Sequence, residues 1–430
     1  MFPTLKSLPN SIPKCNKFYF YKLFQLTNFV KQIKNQRFNI NSLRKSATTP
    51  ILLQSKQDSL IQTQQIIQKK LLIQLTMQNC TFSYEQIPEY NQQLHDYCYA
   101  IAINHNNTYL LASDQMRIKI FLMSKSGLKL LQTMRKHKSV VYTLNFMNDR
   151  QQFVSSSLDN SIVIWSEINQ SNPKYLTKLN DHRDSVRCVN YSSHFQSLIV
   201  SGSDDHSIKF WYYLNSCSYW SCQQAIKEHN DSVYGLSMNQ EGTTLISCSS
   251  DKQILVMNRD NSNMKQWKVI QTINVKKWGL RICYITNNMF AFLPHSNGEQ
   301  WKGGKTLHIY TLTKDTKKFR KREEYKIQGG GQFCDAEFPA LFVQSKQILL
   351  LKNGCTINLL KFNFFNNSIQ EETYQCKLQQ FIYFDCKDKD ECGALFGTIS
   401  ENGEYLITWD WKKGQIQVRR YQEILDINQI

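Results

Sequence analysis

Asp181–Trp211 reads DHRDSVRCVNYSSHFQSLIVSGSDDHSIKFW. After His182 come Val186, Cys188 and Val189, an apolar run at Leu198–Val200, and the small residues Ser201, Gly202 and Ser203. The acid Asp205 follows, and then a segment that closes on Trp211. Short apolar runs separated by polar turn residues are strand signals, so this stretch predicts a small antiparallel sheet. Such a sheet needs neighbours to bury its faces, and a repeat of 40–50 residues would supply them.

The unit recurs. His137, His182 and His229 lie 45 and 47 residues apart, and Asp114, Asp159, Asp205 and Asp251 lie 45, 46 and 46 apart. His and Asp keep separations of 22, 23 and 22 residues in the three full units. Trp165, Trp211 or Met257 stands six residues after each of those Asp residues. The motifs HKSVV…SSSLDNSIVIW, HRDSV…SGSDDHSIKFW and HNDSV…SCSSDKQILVM resemble the WD40 repeat family, the G-protein beta-like propellers.

That resemblance implies an all-β fold, a seven-bladed WD40 β-propeller. It also implies a hydrogen-bonded relay in each strong blade, because a buried carboxylate survives only where donors reach it. The relay residues are His137, Ser155, Asp159 and Trp165; His182, Ser201, Asp205 and Trp211; and His229, Ser247 and Asp251, with Met257 in place of the Trp. A His-Asp-Ser trio also invites a hydrolase reading. Repetition at the blade period assigns it to the scaffold instead. The position after the Val of each entering loop holds Tyr142, Arg187 and Tyr234, with Ala100 in the first blade and Trp278 in the fifth. Aromatics and a guanidinium on adjacent blades predict a protein- or peptide-binding top face, set against ordinary channel-rim residues without a ligand.

Outside the strong units the reading rests on strand pattern. The first blade opens at His95, with Asp114 and Phe121 at the marker positions. The fifth has strands near Leu280–Ile285, Met289–Leu293 and Leu307–Tyr310, and the sixth near Ala340–Val343, Ile348–Leu351 and Cys355–Phe362. The seventh ends on Glu404–Thr408 and Gln415–Tyr421. Trp409-Asp410 is a literal WD dipeptide, but it precedes the third strand of its blade and is set aside. Seven blades are expected, with six or eight as alternatives. Residues 81–430 make up the propeller, and Thr81–Gln93 is expected as one outermost strand that completes the last sheet and removes its open edge.

Residues 1–80 form a separate basic extension. The net charge is +18; residues 1–80 carry twelve Lys/Arg against Asp58, hence +11, and residues 81–430 carry the remaining +7. Ser59–Gln78 shows helical spacing through Leu60, Ile67, Leu71 and Leu75. Residues 1–76 admit three readings: a targeting peptide, a functional tail on an anionic surface, or a gene start set too far upstream of Met77. No run reaches the roughly 18 apolar residues of a membrane span. Thirteen Cys without a CxxC pair read as reduced thiols of an intracellular protein. Gly303-Gly304-Lys305-Thr306 imitates a phosphate loop, but Gly298 is one residue too far upstream and a strand follows. Lys317–Arg322 reads as a solvated basic loop between blades five and six, with a nuclear-import patch as its rival.

No catalytic, cofactor or metal constellation stands apart from the repeats. The expectation is therefore a non-enzymatic scaffold holding proteins or peptides in a multi-subunit assembly, without a small-molecule substrate. The cytoplasm is the expected compartment, with the mitochondrion and nucleus as alternatives. The rival function is an RNA- or ribosome-associated propeller whose basic tail contacts phosphates.

Overall fold

A computed structural model describes residues 80–147, 149–150, 152–166, 174–192, 197–260, 266–295, 303–329, 334, 338–365, 373–384 and 394–425. The basic extension and the Ser59–Gln78 helix lie outside the described residues. The chain divides into two compact units between Gln78 and Asn79.

The larger unit is a seven-bladed β-propeller: seven antiparallel sheets among the described residues. The first strands of blades one to seven are Ile101–Ile103, Val141–Met147, Val186–Ser192, Val233–Met238, Gly279–Thr286, Leu341–Val343 and Leu395–Ile399. Each packs against the next and the last against the first, so they surround one channel. Second strands such as Leu198–Ser203 and Met289–Pro294 are buried throughout because both faces are covered by neighbouring blades. Outer strands such as Trp267–Asn274 alternate buried or half-buried with exposed residues.

The hydrophobic core lies between the blades, in seven clusters, one at each junction. Leu349, Leu351 and Phe362 of blade six pack on Met289, Leu307 and Ile309 of blade five. At the ring closure Phe396, Ile407 and Trp409 of blade seven pack on Cys98, Leu110 and Phe121 of blade one.

Closure uses residues from both ends of the described unit. Cys80–Gln86 pairs with Gln415–Leu425 from Cys80↔Leu425 to Gln86↔Arg419. The segment expected as one strand is two. A single 3-10 turn, Pro88–Tyr90, interrupts it where the proline offers no N–H, and Gln92–Gln93 then resumes pairing with Gln415 and Ile416.

Two further expectations are corrected. Phe319–Lys326 is the outer strand of blade five, so the basic stretch Lys317–Arg322 is not a loop between blades. Phe319 packs into the junction with blade four while Arg320, Lys321 and Arg322 face solvent. Eight described cysteines are free, but Cys355 is disulfide-bonded, so the thiols are not uniformly reduced.

A second set of contacts ties neighbouring blades along their outer strands. The Gln224 carboxamide accepts from Trp267 N at 2.8 Å and donates to Trp267 O at 2.7 Å. Gln271 does the same to Phe319, at 2.8 Å in both directions, and Gln380 accepts from Tyr84 N at 2.9 Å. Each glutamine follows a bulge in its outer strand, opposite Phe210/Trp211, Val256/Met257 and Leu359/Leu360. The bulge turns the side chain toward the next blade, where it substitutes for a strand that cannot reach.

Candidate functional site

In blade two, His137 Nδ1 lies 3.2 Å from both Asp159 oxygens and Nε2 lies 2.7 Å from Ser155 Oγ. Trp165 Nε1 donates to the same Oγ at 2.9 Å. In blade three the distances are 2.8 Å for His182–Asp205, 2.7 Å for His182–Ser201 and 2.9 Å for Trp211–Ser201. A carboxylate only accepts, so Nδ1 carries the proton, Nε2 accepts from the serine hydroxyl, and the serine accepts from the indole. Blade four brings together His229, Asp251 and Ser247, at 2.8 Å each. Met257 ends that chain at the serine.

The turn after each Asp is tight, with Asn160, His206 and Lys252 at φ of 64°, 65° and 64°. Burial would raise these carboxyls. Hydrogen bonds from His137 and Ser161 hold Asp159 well below the usual carboxylate range instead, and His182, Ser207 and Arg183 N do the same for Asp205. Asp251 is lowered in the same way by His229 and Asn230 N. All three histidines are buried, so the trios expose no imidazole or serine to a substrate.

Other blades satisfy the same turn differently. Asp114 of blade one is met by Arg117 at 3.3 Å and Lys119 at 3.1 Å, while His95 is exposed. Blade seven uses a buried chain in which Arg419 donates to Thr408 and Gln417, and Gln417 donates to Asp410.

At the channel mouth, the second residue of the entering strand sits in a bulge in three successive blades. The register slips between Val141 and Thr143, Val186 and Cys188, and Val233 and Gly235, which aims Tyr142, Arg187 and Tyr234. In blade five the slip lies between Gly279 and Arg281, so the equivalent residue is Leu280, not Trp278. Trp278 nevertheless reaches the same surface from two residues upstream.

These side chains form one continuous arc. Arg187 Cζ lies 4.6 Å from the Tyr142 ring centroid and 5.8 Å from that of Tyr234, and Asp204 accepts from its Nε at 2.8 Å. Tyr234 lies 6.0 Å from Trp278, which stacks on His295 at 4.1 Å. In the other direction Tyr142 meets Tyr99 edge-on at 5.9 Å, Tyr99 stacks on Tyr97 at 5.6 Å, and Tyr97 stacks on Trp411 at 3.8 Å. The arc therefore runs from blade seven through blade one to blade five. Sequence reasoning missed Tyr97, Tyr99, His295 and Trp411. The Tyr97-x-Tyr99 pair before the first strand was the available signal.

Below the arc the channel holds a cavity of about 320 Å³ whose charged lining residues are Arg187 and Arg281. Arg281 is buried and donates to Phe338 O at 2.9 Å. Among the described residues no group of three metal-ligating side chains converges.

Three stretches, which include the three His-Ser-Asp relays, match the WD40 model (WD domain, G-beta repeat): residues 128–166, 173–212 and 220–258. Each covers the outer strand of one blade and the three inner strands of the next. The chain is a seven-bladed β-propeller that carries three WD40 repeats. It is 27% identical over 164 residues to the intraflagellar transport protein 122 homolog of Mus musculus, covering 38% of this chain and 12% of that protein. It is 27% identical over 171 residues to Protein FIZZY-RELATED 3 of Arabidopsis thaliana, covering 33% and 35%. It is 25% identical over 143 residues to the probable cytosolic iron-sulfur protein assembly protein 1 of Candida glabrata, covering 31% and 42%. The matched part spans less than half of each of these relatives.

Proposed function

We propose that this propeller is a non-enzymatic scaffold that docks proteins or peptides on the channel mouth, within a multi-subunit assembly of the cytoplasm. The observation that carries the reading is the unbroken arc Trp411–Tyr97–Tyr99–Tyr142–Arg187–Tyr234–Trp278, spread over six blades. Tyr, Trp and Arg dominate interface hot spots because they offer large rigid surfaces with a polar edge. A channel mouth ringed by them has the composition of an interface core. The similarity to an intraflagellar transport protein and to an iron-sulfur protein assembly protein is in keeping with this role. The relay trios act as scaffold in this reading.

The test is recovery of the tagged full-length chain from its source cells as wild type and as Tyr142→Ala/Arg187→Ala/Tyr234→Ala. Partners present with wild type and lost with the triple variant, at an unchanged circular dichroism spectrum, would support the reading. The same partners in both, or a free monomer from wild type, would reject it.

A further inference from the structure

The end of the ring opposite the channel mouth carries a second feature, on blade five. The hairpin Thr313–Lys318 links the third strand, Thr306–Leu312, to the outer strand, Phe319–Lys326. Beside the turn at Asn288 it borders an open cavity of about 520 Å³. Five cations line it: Lys314, Lys317, Arg320, Lys321 and Arg322. Lys321 reaches Glu324 at 2.7 Å, and Arg322 Nε lies 3.7 Å from Glu323. Among the described residues no carboxylate comes within ion-pairing distance of Lys314, Lys317 or Arg320. Asp315 is the acid of the same hairpin, but it is not part of the lining.

We propose that this cavity binds a phosphate-bearing anion. Gathering five cations in one concavity opposes their mutual repulsion, which a dense counter-charge relieves. A phosphate ester brings close to two negative charges on three acceptor oxygens, matching a guanidinium fork and several ammonium groups at once. Thr311 and Thr313 add hydroxyls to the same wall, and Leu312 is the one apolar side chain in it. No aromatic ring lines the cavity, so a single-stranded nucleic acid would find nothing on which to stack its bases. The chemistry selects the phosphate group itself, carried by a free polyphosphate or by a lipid headgroup.

The experiment uses the full-length protein at about 0.15 M salt, where long-range attraction is screened. Inorganic pyrophosphate is titrated calorimetrically into wild type, into Lys314→Gln/Arg320→Gln, and into Lys227→Gln/Lys276→Gln. The last pair removes equal charge from exposed positions elsewhere. In parallel, sedimentation compares phosphatidylcholine vesicles containing phosphatidylinositol 4-phosphate with vesicles of matched charge containing phosphatidylserine. Losing two charge-assisted contacts weakens binding by about tenfold or more. The proposal expects that loss in the cavity variant alone. A loss seen with pyrophosphate identifies a free phosphate ligand, and one seen only with the phosphoinositide vesicles identifies a headgroup. Absence of binding to both probes, equal weakening in the two double variants, or equal sedimentation with the two vesicle types in the absence of pyrophosphate binding would overturn it. All variants keep residues 1–80, so the basic extension contributes the same background throughout.

Discussion

The relay carboxylate is the single group on which each strong blade turns. Asp205 accepts from His182, Ser207 and the N–H of Arg183, so its loss leaves a buried histidine and a buried hydroxyl without their acceptor. Asp205→Ala should cost about 3 kcal/mol, measured by denaturant unfolding at pH 7. A change under about 0.5 kcal/mol, typical of a surface position, would contradict the relay's structural role. The sign with pH follows from the lowered carboxyl. The stabilisation is complete above the unfolded value of about 3.9 and is lost as pH falls through the still lower folded value. The gap between wild type and Asp205→Ala should therefore be full above about pH 5 and shrink below about pH 4. A gap that widens on acidification would contradict this assignment.

At the scale of the strand, the readable elements were those with a repeated chemical marker or an uninterrupted apolar run. Blades two to four announce themselves through His and Asp, joined by Trp in blades two and three. Blades five and six, with no markers, still emerged from runs such as Met289–Leu293 and Ile348–Leu351, because a strand covered on both faces must be apolar throughout. The stretch Lys317–Arg322 reads as a loop for the converse reason, since in the outer strand Phe319–Lys326 that it enters the buried Phe319 is outnumbered by solvated charges. The glutamine clasps were invisible because a side chain that bridges two blades leaves no period in its own strand. The bulge that makes Leu280 the counterpart of Tyr142 likewise depends on pairing, which a single strand does not encode. Gln271→Ala removes two hydrogen bonds to the Phe319 backbone and leaves that N–H and C=O unsatisfied between blades. It should destabilise by about 1–3 kcal/mol in equilibrium unfolding. Stability equal to wild type would mean that water replaces the clasp.

For the whole ring, Cys80–Gln86 covers what would otherwise be an open edge at Gln415–Leu425, and Phe82 and Tyr84 bury their rings against blade six. A chain beginning at Leu94 should melt lower than one beginning at Asn79 and scatter light as its concentration rises, because an unpaired edge recruits other strands. Equal melting of the two would show that the last sheet needs no partner. Ring closure also brings Trp411 of blade seven against Tyr97 of blade one, so the aromatic arc proposed for docking is continuous only in the closed molecule.

The most direct measurement of that arc is amide hydrogen exchange on this chain, alone and within the assembly from which it is purified. The account predicts added protection concentrated in the entering segments 95–101, 138–142, 183–187, 230–234 and 276–280. Protection confined to the outer strands, or absent from these five segments, would contradict it.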